Sequence, residues 1–163
     1  MFSEKLLGKA QILSDLLKKN KLMLSTAESC TGGLISALIT SLPGSSCIYD
    51  RGFVTYSNKS KVDLLTVPTF FLEEYSAVSK ETAIAMAEGA LLMSNSDLAI
   101  SVTGVAGPDG GSPKKPVGTV FLGYAQKTKK SLYKSFNFSG NRNEIRILTV
   151  ENAIDFLILQ LDN

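Results

Sequence analysis

Histidine is absent from all 163 residues, and so is tryptophan. The first absence is the more informative. Without an imidazole there is no Ser-His-Asp or Cys-His hydrolytic centre, and most zinc sites lose a usual ligand. A catalytic base must then be lysine, tyrosine, a carboxylate or a water. Cysteine is scarce as well. Cys30 and Cys47 have neither metal-ligand spacing nor the density of a small secreted scaffold, and they read as free thiols of a reducing compartment. No run approaches the ~20 apolar residues of a membrane span. The amphipathic N-terminus, with Glu4 and Asp15, lacks the apolar stretch of a signal peptide. The net charge is only +2 and the basic residues are dispersed, too little for a nucleic-acid surface. These absences predict a cytoplasmic protein with no membrane, nucleic-acid or metal partner.

What is present is a core-forming composition, 44% apolar and 20% charged, which predicts one domain over residues 1–163. Leu6, Leu7, Ala10, Leu13, Leu16 and Leu17 recur at helical spacing within residues 4–19. Residues 21–25 read as a strand, and a helix follows Gly32-Gly33 and stops at Pro43-Gly44. Phe53-Val54-Thr55-Tyr56 marks a second strand within 48–56. Asn58 is the expected cap of a short helix that ends before Pro68, and 69–75 forms another. Ser79 caps a longer helix, and 98–102 is a short run suited to a strand covered on both faces. Strands over 117–124 and 132–138 flank a turn at Lys127–Lys130. Asn141 caps a final helix reaching Leu161, with Ile145, Leu148, Asn152, Ile154, Leu157 and Ile158 on its buried side. This alternation predicts a three-layer α/β/α domain on a mixed, mostly parallel sheet of about five strands.

Four polar, glycine-containing loops leave predicted strands, and in open α/β sheets such exits converge on one crevice. The first is Thr26-Ala27-Glu28-Ser29-Cys30-Thr31-Gly32-Gly33. A nucleophile here would sit beside the amides and positive dipole end of the following helix. Ser29 is the first candidate and Cys30 the rival, since a thiol at a helix N-terminus ionises more easily. Glu28 either orients a ligand or balances the dipole. The stretch also reads as a plain connector with a hydroxyl cap. The second loop, Tyr56-Ser57-Asn58-Lys59-Ser60-Lys61, offers Lys61 as a base, provided burial or a dipole lowers its pKa; otherwise Lys59 and Lys61 are surface lysines. Tyr56 would hydrogen-bond the lysine or the serine, or stand as a half-buried strand aromatic. The third loop, 103–113, carries Gly104, Gly107, Gly110, Gly111 and Asp109, and exposes amides to an anion or simply flexes. It matches neither a P-loop nor a dinucleotide fingerprint. The fourth, Ser139-Gly140-Asn141-Arg142, presents Arg142 as a two-pronged phosphate ligand or a surface arginine.

Four segments, in order, resemble the CinA C-terminal domain family. They are Thr26–Gly33, Arg51-Gly52-Phe53-Val54-Thr55-Tyr56-Ser57-Asn58, Thr103-Gly104-Val105-Ala106-Gly107-Pro108-Asp109-Gly110-Gly111, and Lys115-Pro116-Val117-Gly118-Thr119-Val120. The resemblance covers nearly the whole chain and implies the stand-alone form, without the N-terminal molybdopterin-binding-like domain of longer relatives. It implies a nicotinamide-nucleotide amidohydrolase that converts nicotinamide mononucleotide to nicotinate mononucleotide and ammonia. Ser29 would be nucleophile, Lys61 base, and Tyr56 an assistant. Glu28, Thr31, Gly32, Gly33, Asn58, Thr103, Gly104, Ala106, Gly107, Pro108, Asp109, Gly110, Gly111 and Arg142 would surround the substrate, with Arg142 on the phosphate and the amides of residues 31–33 on the oxyanion. No metal or cofactor is required, and a homo-oligomer is implied. The alternatives are a non-catalytic nucleotide-binding module and a Cys30 hydrolase of another amide.

Overall fold

The structure, a computed structural model, describes residues 2–162. In chain order it forms α1 (Glu4–Asn20), β1 (Leu24–Glu28), α2 (Leu34–Thr40), a 3-10 turn (Ser45–Cys47), β2 (Tyr49–Val54) and α3 (Asn58–Leu65). Then follow α4 (Thr69–Glu74), α5 (Lys80–Leu92), β3 (Leu98–Gly104), β4 (Thr119–Gln126), β5 (Leu132–Asn137) and α6 (Arg142–Leu161).

The strands form one sheet in the order β2-β1-β3-β4-β5. β1 pairs in parallel with β2 and with β3, while β4 is antiparallel to both β3 and β5. β5 therefore runs with β1, β2 and β3, and β4 alone opposes them. "Mostly parallel" thus holds for strand direction, whereas the ladders divide evenly. The consequence for a site is direct. The exits of β1, β2, β3 and β5 all leave one edge of the sheet.

Helices α1, α2 and α6 cover one face and α3, α4 and α5 the other. The first face is packed with large aliphatics, among them Leu13, Leu17, Leu24, Ile35, Leu38, Ile100, Ile154 and Leu157. Each fully buried side chain of this kind contributes about 1.5–3 kcal/mol. The second face is built from smaller residues, Ala27, Ala85, Ala90 and Ala99 with Met86, Leu65 and Val67. Small residues are needed there because α5 lies close. A Cβ on Gly89 would overlap the Leu65 carbonyl, and one on Gly123 of β4 the Ala83 carbonyl.

Several boundaries differ from the sequence reading. β1 begins three residues later than expected and runs through Glu28, so Thr26, Ala27 and Glu28 belong to the strand rather than to the turn after it. β3 extends to Gly104, and β4 starts at Thr119. Ser57, not Asn58, caps α3, in a reciprocal capping box with Ser60. On α6 the buried stripe uses Thr149, Val150, Ala153 and Phe156, with Leu148 and Asn152 at its margin.

Candidate active site

The tight turn after β1 is held by the strand's own last residue. Glu28 is fully buried, and its carboxylate accepts from the Gly33, Ile35 and Ser36 amides and from the Thr31 and Ser36 hydroxyls, at 2.7–3.1 Å. The Ser36 hydroxyl also meets Thr26 Oγ1 and the Tyr49 hydroxyl. Gly32 and Gly33 stand at φ of +60° and +96°, which lets the chain fold back over that carboxylate. Thus the positive end of α2 is already neutralised from within. This corrects two expectations. Glu28 does not reach the ligand side. The Gly32 and Gly33 amides, donating to the Ser29 carbonyl and to Glu28, are not oxyanion donors. The Cys30 and Thr31 amides are not spent on protein acceptors among the described residues.

What the turn presents outward is Ser29. Its Oγ lies 3.2 Å from Lys61 Nζ, which also donates to the Thr55 carbonyl at 2.8 Å. Lys61 comes from the first turn of α3, one strand over, and is 1% exposed; Ser29 retains 8%. Among the described residues Lys61 has no carboxylate partner. Burial therefore holds its pKa below the ordinary 10.5. A thiolate at Cys30 would oppose this. Burial, however, pushes the Cys30 thiol up to about 12, so at neutral pH it carries no charge. The same burial weighs against Cys30 as a rival nucleophile, since a protonated thiol attacks poorly.

A cavity of about 270 Å³ opens over this pair, at the low end for small-molecule sites. Ser29, Cys30, Tyr56, Lys61, Thr103, Gly104, Ala106, Gly107, Asp109, Gly110 and Arg142 line it. Arg142, at the start of α6, donates to the Gly107 carbonyl at 2.7 Å and to the Tyr56 hydroxyl at 2.8 Å. Tyr56 lies two residues beyond β2 and is 60% exposed; it belongs to the arginine end, not to the Ser29–Lys61 contact expected of it. Thr31, Gly32, Gly33, Asn58 and Gly111 do not line the cavity, and Pro108 lines a neighbouring hollow with Val117, Gly140 and Asn141.

Sequence reasoning missed Ala77 and Val78, which form a wall of the cavity from the turn before α5. Two small apolar residues in a loop give no chemical signal. It also missed Arg146, whose Nη2 donates to the Thr31 carbonyl at 2.8 Å and braces the serine turn from α6. Its position one helical turn beyond Arg142 was the available clue. No group of three or more His, Cys, Asp or Glu residues able to hold a metal occurs among the described residues.

The family model of the CinA C-terminal domain matches residues 7–161. The chain belongs to the CinA C-terminal domain family. A CinA-like protein of Endomicrobium trichonymphae is 54% identical over 91% of this chain and 34% of its own length. One of Geotalea daltonii is 51% identical over 92% of this chain and 36% of its own. The chain thus spans about a third of the length of these curated relatives. Among solved structures, the competence/damage inducible protein CihA of Agrobacterium tumefaciens is 44% identical, superposes with a TM-score of 0.95 and covers 100% of this chain and 99% of its own. A CinA superfamily protein from Enterobacter cloacae, 28% identical, reaches 0.91 over 99% and 96%. No helix among the described residues of this CinA-family chain is long and apolar enough to cross a membrane.

Proposed function

We propose that this CinA-family domain hydrolyses the carboxamide of nicotinamide mononucleotide, releasing ammonia and nicotinate mononucleotide. The observation that carries the reading is the 3.2 Å contact between Ser29 Oγ and the buried, carboxylate-free Lys61 amine. In the neutral amine that contact reverses, and the serine hydroxyl donates to the nitrogen lone pair. As Ser29 attacks the amide carbon, Lys61 takes its proton. The Cys30 and Thr31 amides remain to receive the oxyanion; one such donor is worth about a hundredfold or more in rate. Lys61 then returns that proton to the carboxamide nitrogen as the C–N bond breaks, and ammonia leaves. Water, activated by the same amine, hydrolyses the acyl-enzyme.

Specificity for a nucleotide is assigned to the other end of the cavity. Arg142 keeps guanidinium donors beyond those given to Gly107 and Tyr56. Beside it, the Ala106, Gly107, Asp109 and Gly110 amides are not spent on protein acceptors among the described residues, and they suit phosphate oxygens.

The test is to incubate the protein with nicotinamide mononucleotide and follow ammonia. Release that disappears in Ser29→Ala and in Lys61→Met is the expected result. Tight binding of the nucleotide with no ammonia from the native protein would overturn the reading in favour of a binding module.

A further inference from the structure

One sequence motif is left without a role by the proposed chemistry: Lys115-Pro116-Val117-Gly118. Lys115 lies at the far end of the glycine loop, where Ser112 and Lys115 exchange backbone hydrogen bonds of 2.9 and 3.1 Å and fix the lysine in a closed turn. Its ammonium does not pair with a carboxylate among the described residues. Instead it crosses to the segment between α4 and α5. There it donates to the Tyr75 carbonyl at 2.8 Å and to the Ser76 hydroxyl at 2.6 Å.

The segment it grips is bent and tightly tied. Ser76 stands at φ +71°, a left-handed conformation uncommon for a residue with a Cβ. The Ser76 carbonyl accepts from the Ser79 and Thr82 hydroxyls, and the Ala77 carbonyl from Thr103 Oγ1 at 2.7 Å. Those bonds present Ala77 and Val78 to the cavity that also holds Ser29 and Lys61. The opposite end of the same loop contributes Gly104, Ala106, Gly107, Asp109 and Gly110 to that cavity. Two walls that no strand or helix joins directly are therefore tied together by Lys115 on one side and Thr103 on the other.

We propose that Lys115 is a positioning residue, a strap that fixes the separation between the glycine loop and the Ala77–Val78 wall and thereby sets how tightly the substrate is held. The proposal rests on the functional reading above for the identity of the substrate, but the strap itself does not. It acts on binding, because its contacts fall on the walls and not on the Ser29–Lys61 pair.

The experiment compares Lys115→Met, Lys115→Arg and the neighbouring control Lys114→Met, which removes the same charge from the same loop. Amide hydrogen exchange is followed in residues 74–79 and 105–112 of the free protein, and steady-state ammonia release from nicotinamide mononucleotide is measured alongside. Faster exchange in both segments for Lys115→Met, with KM raised about tenfold and kcat within about threefold, is expected. Lys115→Arg restores most of both effects, and Lys114→Met changes neither. Unchanged exchange in Lys115→Met overturns the strap. Faster exchange with an unchanged KM, or a fall confined to kcat, overturns its role in holding substrate. If the native protein releases no ammonia, the functional reading fails by itself, and the exchange result still decides whether the strap exists.

Discussion

The two glycine-rich strand exits that flank the cavity look alike in sequence and are used in opposite ways. After β1, the turn is tied down by the protein at most points: Glu28 collects five donors, Gly32 bonds back to Ser29, and Arg146 takes the Thr31 carbonyl, which leaves the Cys30 and Thr31 amides beside Ser29. After β3, Ala106, Gly107, Asp109 and Gly110 line the cavity, and their amides are not spent on protein acceptors among the described residues. The first turn holds Ser29, the proposed nucleophile, still and leaves two amides beside it; the second leaves a longer row of donors. A glycine-rich loop is therefore not an anion site by composition. What decides is whether the protein supplies its own carboxylate.

The comparison is broken most severely by removing the amine that the rigid turn serves. Lys61→Met should lower ammonia release by about a thousandfold or more, since among the described residues Ser29 Oγ has no other titratable hydrogen-bond partner. Two pH signatures go with it. The native kcat/KM should rise with pH as Lys61 loses its proton, through a pKa below 10.5. The Lys61 contribution to stability should also rise with pH toward the ordinary lysine value, opposed above about 9 by the buried Cys30 thiol, which keeps its proton only in the folded chain. In that window the unfolded chain binds a proton the folded chain does not, so the contribution is lost as pH falls through the folded value. Lys61→Met removes the lysine contribution, read in urea unfolding as the difference between the native protein and the variant, and removes the rise in the kinetic profile.

Next in size is Glu28→Ala. Several buried donors lose their acceptor at about 1–3 kcal/mol each, partly relieved by relaxation, so a loss of about 3–5 kcal/mol is expected in denaturant unfolding. A variant of near-native stability would show that the turn is not organised by this carboxylate.

A smaller and more selective contrast comes from two glycines of similar conformation. Gly33 and Gly110 stand at φ +96° and +87°, and neither has an atom closer than 3.5 Å to where a Cβ would go. Alanine should cost about 1–2 kcal/mol at either position, from the left-handed conformation alone. Only Gly110 lines the cavity, so only Gly110→Ala should also raise KM.

The sequence made the elements legible because hydrophobic periodicity, caps and breakers agreed. Ser79 and Asn141 cap the helices expected of them, and Asn141 does so with Glu144 in a capping box. β1 was misplaced for a physical reason. A glutamate looks like the end of a strand, and the amides that make Glu28 tolerable inside lie five to eight residues on, at Gly33 and in the first turn of α2. The gathering of Ser29, Lys61, the glycine loop and Arg142 was legible because four strand exits share one sheet edge. The Ala77–Val78 wall was not, since its place depends on the Thr103 and Lys115 bonds rather than on its own composition.

The smallest expected effect falls on the residue beside Ser29. Cys30 stands in the same turn as Ser29 and lines the same cavity, yet it is 6% exposed and its thiol is held protonated up to about 12. In an electropositive, open turn that thiol would ionise and compete. In this one, desolvation wins over any help from the helix end, because Glu28 has already cancelled the dipole there. Cys30→Ala should therefore leave kcat/KM within about threefold, and a thiol-alkylating reagent at pH 8 should modify Cys47, the exposed cysteine, without loss of turnover. Rapid inactivation by the reagent that Cys30→Ala prevents would mean that the turn is less closed than its hydrogen bonds indicate, and the contrast between the two glycine exits would lose its basis.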